Sequence, residues 1–222
     1  MDAQRGYLCL GNGLQAHVHS RKRRANGQFH GVLLLLRSGA GAMSPRAGQD
    51  EKGRPRMKWR LSNRAGRRAV EIADRHYNRQ KPGTPQFVPP GRCLVFVTVG
   101  GDAVWVTSWP FAEYTKHAWA GAWVNTTFRN EGDTLSSTLI RQAVAATLAL
   151  WPKPPALGIV TFVDAAKVRR KRDPGRCYRK AGFSHVGFTK GGLWALQMVP
   201  SEMPEAKMPI GGQWEMKKVG QE

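Results

Sequence analysis

The chain has 222 residues, with 35 Lys and Arg against 15 Asp and Glu, and its formal net charge is +20. This length suits one domain of ordinary size, and the positive excess favours a polyanionic partner, nucleic acid before an anionic membrane. No stretch approaches the roughly 20 apolar residues of a membrane-spanning helix. The three cysteines are too scattered for a zinc pair or a disulfide framework, so we expect a protein of a reducing cytoplasm.

Residues 1–56 are predicted to form a basic, disordered extension. They are rich in Gly, Arg and Ser, they include HSRKRRANG and SPRAGQDEKGRPR, and few of their apolar residues recur with a period. From Met57 the pattern becomes that of a folded domain, which we expect over residues 57–200. Residues 201–222, rich in Met, Pro and Gly, are predicted to be a loose tail.

The predicted elements alternate between helix and strand, which indicates an α/β fold. In LSNRAGRRAVEIADRHYNRQ, one helical face is predicted to carry Leu61, Ala65, Ala69, Val70 and Ala73. Three strands follow, RCLVFVTV, AVWVTSWP and AWAGAWVNTTF, and the first two are joined by a hairpin turn. The amphipathic helix SSTLIRQAVAATLALW is predicted to begin with Ser136 or Ser137 as its N-cap. The buried strand ALGIVTFVD, the short helix GRCYRKAGF and the hairpin HVGFTKGGLWALQMV complete the domain.

The loop between the third strand and the central helix is the first candidate site. A loop that leads from a strand into a helix presents backbone N–H groups and the positive end of the helix dipole, an arrangement that binds phosphate. Arg129 and Gly132 have the form R-x-x-G. An ordinary helix start explains the pattern equally well, and Glu131 and Asp133 would repel a pyrophosphate.

Four side chains are candidates for acid–base or metal chemistry. Asp164 stands at the carboxyl end of a buried strand, where α/β sheets bind ligands, and it can bind a metal, accept a proton or cap the next turn. Tyr178 follows on the short helix as a proton donor or a structural residue. His76 and Tyr77 stand at the end of the first helix, where a histidine can titrate near neutrality or be an ordinary surface residue.

A dense basic run follows the last buried strand, and it is predicted to contact DNA phosphates: Lys167, Arg169, Arg170, Lys171, Arg172 and Arg176. Such contacts are independent of sequence and weaken with salt, and a solvated loop is the alternative. The tryptophans near the strands are expected mainly in the core, although one or two could stack on an extruded base: Trp105, Trp109, Trp119 and Trp123.

Over about residues 60–200 the chain resembles the GNAT acyltransferases. The resemblance rests on R-x-x-G between a central strand and a helix, then an apolar strand, then Y-x-K-A-G-F and a hairpin. Tyr178 falls where a GNAT tyrosine often serves as general acid to the CoA thiolate. Within the superfamily the chain is most similar to phage Mom-type DNA-modification proteins, on the basis of His76-Tyr77 in an early helix, Ser136-Ser137, Val163-Asp164 and Tyr178 before Ala181-Gly182-Phe183.

This resemblance implies a GNAT-like mixed central sheet flanked by helices. It also implies an enzyme that converts adenine in duplex DNA to a carbamoylmethyl-type derivative, which protects the DNA from restriction enzymes. The implied cofactors are acetyl-CoA or a related acyl donor, and iron. One departure is that the acyl-donor loop carries Thr134 in place of a second small residue, together with two acids, which fits a member that has abandoned simple acetyl transfer.

The resemblance also implies roles for individual residues. The catalytic positions are Tyr77, Ser137, Asp164 and Tyr178. The positions that bind the acyl donor are Arg129, Gly132 and Ser136, and Ser136 can also replace Ser137. The metal ligands are His76, Asp164 and Tyr178.

Two alternative functions stay open. The first is a conventional acetyl-CoA-dependent N-acetyltransferase that acts on a small amine or a protein lysine. The second is a non-catalytic basic protein that binds DNA. The net charge of +20 favours DNA modification or DNA binding over the acetyltransferase. The buried strand that ends in Asp164 favours either enzyme over a simple DNA-binding protein.

Overall fold

The computed structural model describes residues 53, 56–88, 91–111, 115, 117–168 and 173–211. They belong to one unit, Ser44–Glu222. The predicted basic extension lies outside the described residues apart from Gly53 and Arg56, and so does the basic run Arg169, Arg170, Lys171 and Arg172. Within the described part of the chain, no helix has the length and apolar character needed to cross a bilayer.

The predicted α/β class is confirmed. In chain order the elements are β1 (Trp59–Ser62), α1 (Arg67–Asp74), β2 (Gly91–Thr98), β3 (Ala103–Pro110), β4 (Trp123–Asn130), α2 (Ser136–Leu150), β5 (Ile159–Val163), α3 (Arg176–Ala181), β6 (Ser184–Phe188) and β7 (Trp194–Met198). The strands form one mixed sheet in the order β1-β2-β3-β4-β5-β7-β6. Of the pairs between these strands, β4 with β5 is parallel and the others are antiparallel.

The first predicted helix begins later than expected, because its first residues form a strand. β1 pairs with β2 at the edge of the sheet. Asn63 then turns the chain: its side-chain oxygen accepts the N–H of Ala65 at 2.9 Å, and its carbonyl accepts the N–H of Gly66 at 3.0 Å. Leu61 is therefore a strand residue, and α1 contains only the middle part of the predicted segment.

The same helix also ends earlier than expected. The carboxylate of Asp74, its last residue, accepts the N–H of Gly83 at 2.7 Å and pairs with Arg79 at 2.6 Å. These bonds hold the following segment in a loop against the end of the helix. His76 and Tyr77 therefore lie in the turn after α1, and the prediction that they belong to the helix is wrong.

The two faces of the sheet are covered by different helices. α2 and α3 pack on one face, where Trp59, Trp105 and Trp123 are fully buried in the main core. α1 covers the other face, with Ala69 and Ile72 against the apolar side chains of β2 and β3. Because Trp105 and Trp123 have no exposed surface, neither of them is available to stack on an extruded base in this structure.

The sheet opens between β4 and β5. The two strands pair only from Trp123 opposite Ile159 to Asn125 opposite Thr161. Beyond that point β4 continues beside β3 as far as Asn130, after a register shift that leaves Thr126 without an opposite residue on β3. Such a bulge bends a strand and increases its twist. The end of β4 therefore turns away from β5 and leaves a gap in the middle of the sheet.

The chain after β7 returns across the domain to β1. The N–H of Lys207 donates to the carbonyl of Ala145 in α2 at 3.1 Å, and the N–H of Ile210 donates to the carbonyl of Trp59 at 2.8 Å. Ile210 also forms a parallel bridge with Arg60. The packed region therefore extends past residue 200, where the loose tail was predicted to begin.

Gly158 lies directly before β5, where the chain passes close to β7. Replacing this glycine tests the close contact between the two. Its φ is +65°, and an added Cβ would lie 2.1 Å from the carbonyl oxygen of Met198 in β7. We expect Gly158→Ala to lower the free energy of unfolding by about 3 kcal/mol or more, since the backbone strain and the clash with β7 add together. Urea denaturation followed by circular dichroism measures this loss.

Gly192 provides the matched control, because its φ is +78° and an added Cβ would meet nothing within 4 Å. Gly192→Ala should cost only the backbone strain, about 1–2 kcal/mol. Equal losses for the two variants would contradict the close contact between Gly158 and β7.

Candidate functional site

A cleft of about 1000 Å³ lies where β4 and β5 diverge. The start of α2, the helix α3 and the turn after α1 complete its walls. The predicted site residues that line this cleft are His76, Tyr77, Arg129, Ser136, Ser137, Arg176 and Tyr178. Gly132, Asp164 and Lys167 are not among its lining residues. Residues that are far apart in the chain thus meet at one place.

The short helix α3 is held between two glycines in the left-handed region. Gly175 precedes it with φ +72°, and Gly182 ends it with φ +104°. An added Cβ at Gly175 would lie 2.7 Å from Leu196 Cδ1 of β7, so the start of the helix lies directly on the sheet. The sequence predicted this helix and its glycine end. The close contact at Gly175 explains how Tyr178, one turn later, reaches the gap between the strands.

Tyr178 is buried at the inner end of the cleft. Its ring packs against Trp105, Phe128 and Phe183, with centroid distances of 6.5, 6.1 and 5.3 Å. Burial raises the pKa of Tyr178 well above its ordinary value, and nearby Cys177 and Tyr77 add to the rise. The side chain is therefore a neutral phenol at neutral pH.

Asn125 holds the hydroxyl of Tyr178 and was not predicted as a site residue. Tyr178 Oη donates to Asn125 Oδ1 at 2.6 Å, and Asn125 Nδ2 donates to the carbonyls of Val106 at 2.9 Å and Thr127 at 3.1 Å. The hydroxyl of Thr161 lies 3.2 Å from the carbonyl of Asn125. The available sequence signal was an asparagine inside the apolar strand AWVNTTF, since a buried amide must be hydrogen-bonded.

His76 and Tyr77 form a stacked pair at the mouth of the cleft, with ring centroids 4.4 Å apart. Burial lowers the pKa of His76; the charge of Arg129 adds to the fall, and a hydrogen bond with Asn78 opposes it. Burial also raises the pKa of Tyr77. At neutral pH the pair therefore offers an uncharged imidazole, which can accept a proton, beside an uncharged phenol.

Tyr77 connects the other predicted catalytic residues. It interacts electrostatically with both Asp164 and Tyr178, which places the three in one neighbourhood. Asp164 itself makes the turn after β5: its Oδ1 accepts the N–H groups of Ala166 at 3.0 Å and Lys167 at 3.1 Å. Its Oδ2 lies 3.8 Å from Lys167 Nζ. Of the three roles considered for Asp164, this geometry matches the cap of the turn.

In the loop between β4 and α2, the carboxylate of Glu131 is not free as the sequence suggested. Arg75 Nε and Nη2 bond to its two carboxylate oxygens at 2.7 and 2.6 Å, and Arg129 Nε reaches Oε1 at 2.6 Å. Chiefly through its bonds with Arg75, and also with Arg129, the pKa of Glu131 falls to about 2. Its charge is balanced by these two cations, so it repels a nearby anion far less than a free carboxylate would.

Gly132 has a packing role in this loop. An added Cβ would lie 1.9 Å from Asp102 Oδ2, and the preceding N–H of Glu131 donates to the carbonyl of Asp102 at 2.8 Å. The N–H of Gly132 donates to Asn130 Oδ1 at 3.0 Å. The glycine of R-x-x-G thus brings the loop against the β2–β3 turn, and its own N–H is bonded within the loop.

The start of α2 differs in detail from the prediction. The N-cap is Leu135, and no side chain caps the helix, so the expected cap by Ser136 or Ser137 is wrong. Asn130 Nδ2 donates to the carbonyl of Thr134 at 2.7 Å and approaches Ser136 Oγ at 3.2 Å, which shapes the loop before the helix. The first N–H groups of a helix have no partner within it, and the first turn of α2 holds no acid. An anion can therefore bind at this end of the cleft.

Besides Arg129, which is paired with Glu131, two positive side chains at the cleft come from α3. Arg176 and Lys180 are exposed, and both line the cleft. Arg176 is thus placed where a polyanion entering the cleft would meet it. Lys167, predicted with Arg176 as a DNA contact, is exposed but faces the carboxylate of Asp164.

Two of the three residues predicted as iron ligands, Asp164 and Tyr178, do not fit an iron site in this geometry. Tyr178 donates its proton to Asn125, and both oxygens of Asp164 are engaged by the turn after β5 and by Lys167. A metal ligand must be deprotonated, so a phenol that keeps its proton for Asn125 does not suit a metal, and the ammonium group of Lys167 opposes a cation beside Asp164. Among the described residues, no three or more His, Cys, Asp or Glu side chains form a group that could hold a metal ion. Iron stays a prediction of the resemblance.

Comparisons with family models, with curated proteins and with solved structures found no match to this chain.

The ion pairs of Glu131 predict how stability depends on pH. Because the folded pKa of about 2 lies below the ordinary value of 4.5, the stabilisation is complete above pH 4.5 and is lost as the pH falls towards 2. Glu131→Gln should therefore lower the free energy of unfolding at pH 7 and make it less dependent on pH between 4.5 and 2. Urea denaturation at several pH values measures both effects.

Asp133→Asn is the matched control, because it removes one negative charge from the same loop and Asp133 is exposed. Between pH 4.5 and 2, the free energy of unfolding of this variant should change with pH about as steeply as that of the wild-type protein. If both variants changed the pH dependence equally, the ion pairs of Glu131 would not be its cause.

Proposed function

We propose that this protein is a DNA base-modification enzyme with a GNAT-like fold, and that it adds an acyl-derived, carbamoylmethyl-type group to adenine. The observation that carries the proposal is the cleft between β4 and β5. It brings together Tyr77, Ser137 and Tyr178, three of the four residues that the Mom-type resemblance assigns to catalysis.

The order of the elements supports the GNAT-like assignment. The resemblance requires a central strand, an R-x-x-G loop, a helix, an apolar strand, a short tyrosine-bearing helix and a hairpin. The corresponding elements follow each other from β4 through α2, β5 and α3 to the β6–β7 pair. The parallel pairing of β4 with β5 gives these two strands carboxyl ends on the same side, which is where α/β sheets place ligands.

The start of α2 is suited to hold an acyl donor that carries phosphate groups. Ser136 and Ser137 lie at the positive end of this helix, and both line the cleft. Arg75 and Arg129 balance the charge of Glu131, which removes most of the repulsion expected there. When bound, such a donor would supply the activated group to be transferred. The chain's own contribution is to bind the phosphates and aim the donor into the cleft.

The charge of the molecule supports DNA as the substrate. A net charge of +20 is typical of proteins that bind phosphate backbones, and Arg176 and Lys180 stand at the cleft. The amino group of adenine is not accessible to an enclosed site while the base is stacked, so the base must be turned out of the duplex. The exposed ring of Tyr77, backed by His76, offers a surface on which such a base can stack.

We assign different roles to the four catalytic positions. Tyr77 and Ser137 position the base and the donor, and Tyr178 contacts the reacting part of the substrate. Asp164 holds the turn after β5 and stands beside Tyr77, so its effect passes through that residue. A conventional N-acetyltransferase is the second candidate, because the open start of α2 would suit acetyl-CoA equally well. It predicts acetyl-CoA turnover without DNA.

Mass spectrometry of nucleosides from DNA tests the proposal directly. DNA from bacteria that express the protein should contain an adenosine of increased mass, and Tyr178→Phe and Ser137→Ala should lower its amount by about tenfold or more. Ser184→Ala is the control, because Ser184 is exposed on β6 and does not line the cleft. Unmodified adenine in cells that contain soluble, folded protein would refute the proposal.

Salt dependence of DNA binding tests the placement of DNA at α3. Each phosphate contact adds about 0.9 to the slope of log K against log salt concentration. Arg176→Ala should therefore reduce the slope by about 0.9 for a duplex oligonucleotide measured by fluorescence anisotropy. Lys153→Ala removes an exposed charge beyond the other end of α2, and its slope should equal that of the wild-type protein. Equal slopes for all three proteins would place the DNA elsewhere.

A further inference from the structure

The side-chain amide of Asn125 can be oriented in only one way. Its two amide hydrogens point to the carbonyls of Val106 at 2.9 Å and Thr127 at 3.1 Å. If the amide were reversed, its oxygen would face two carbonyl oxygens, and three acceptors would meet without a hydrogen. Oδ1 of Asn125 must therefore be the atom that faces Tyr178.

This orientation determines the direction of the hydrogen bond from Tyr178. The amide oxygen has no hydrogen to give, so the phenol must be the donor across the distance of 2.6 Å. A phenol has a single hydrogen. Whatever else the hydroxyl of Tyr178 meets in the cleft therefore meets oxygen lone pairs.

Thr161 gives the same character to the neighbouring surface. Its hydroxyl hydrogen points to Asn125, whose carbonyl oxygen and Oδ1 lie 3.2 and 3.3 Å away. Thr161 and Tyr178 both line the cleft at the point where β4 and β5 separate. The inner end of the cleft thus presents acceptors, and it suits a ligand that brings its own donor.

We infer that Tyr178 accepts a hydrogen bond from an N–H group of the substrate, and that Asn125 is the positioning residue that sets this polarity. This inference rests on the proposed function, which makes the donor the exocyclic amino group of adenine. It differs from the general-acid role that the GNAT resemblance implied for Tyr178. In that role the phenol would have to give up the proton that it donates to Asn125.

The test compares two bases that differ in this donor. One single-stranded oligonucleotide carries a single adenine, and the other carries purine, which lacks the exocyclic amino group, at the same position. The wild-type protein should bind the adenine strand about tenfold more tightly, because purine leaves a buried acceptor unpaired. Tyr178→Phe keeps the ring in the core and should bind both strands equally.

Two substitutions of Asn125 separate its positioning role from its part in stability. Asn125→Leu and Asn125→Asp both disturb the bonds to Val106 and Thr127, so both should lower the melting temperature. Only the aspartate keeps an acceptor for the hydroxyl of Tyr178. The preference for adenine should therefore persist in Asn125→Asp and disappear in Asn125→Leu, measured below the melting temperature of each variant.

The inference is overturned if the wild-type protein binds both strands equally, if it binds neither, or if Tyr178→Phe keeps the preference. It is also overturned if the leucine and aspartate variants behave alike. Failure of the proposed function would look different. Cellular DNA would stay unmodified, while the protein would still prefer the adenine strand and this preference would still depend on Tyr178. Modified DNA without any preference between the two strands would remove the inference and leave the proposed function in place.

Discussion

The cleft depends on how the side chain of Asn125 joins the strands where the sheet opens. The register shift between β3 and β4 interrupts the backbone ladder, and an interrupted ladder leaves buried carbonyls in need of donors. The amide of Asn125 supplies them to Val106 and Thr127. These two carbonyls therefore stay paired where β4 leaves β5. The same amide holds Tyr178, so one residue accounts for both the opening and its innermost side chain.

Charge is separated along the cleft. Its inner end is neutral, because burial favours the uncharged form of Tyr178, and burial likewise favours the uncharged form of His76 at the mouth. Its outer part carries the positive side chains of α3 and the positive end of α2. The acid in the adjoining loop, Glu131, is paired with Arg129, two residues before it, and with Arg75 at the end of α1. This order suits a substrate with an uncharged end and a polyanionic body, which is the form of a base attached to a phosphate backbone.

The sequence was sufficient for the features that depend on neighbouring residues. The α/β class, the central helix and the strand before Asp164 follow from local periodicity. β1 was missed because its pairing with β2 depends on residues more than 30 positions later. Three residues that line the cleft, Tyr77, Ser137 and Tyr178, were expected from the resemblance. Asn125 was not expected, because its contacts depend on a bulge and on a helix far along the chain. The effect of Glu131 was misjudged for the same reason, since its partner Arg75 lies 56 residues away.

The return of the chain from β7 to β1 determines where the ends of the described domain lie. Ile210 bridges to Arg60, so both ends meet at one edge of the sheet, which is three strands, or about 14 Å, from β4. The returning segment also occupies the outer side of β1, which would otherwise offer free backbone groups to another strand. A short peptide link between the two ends would therefore permit circular permutation, with new termini opened in a surface turn far from the cleft.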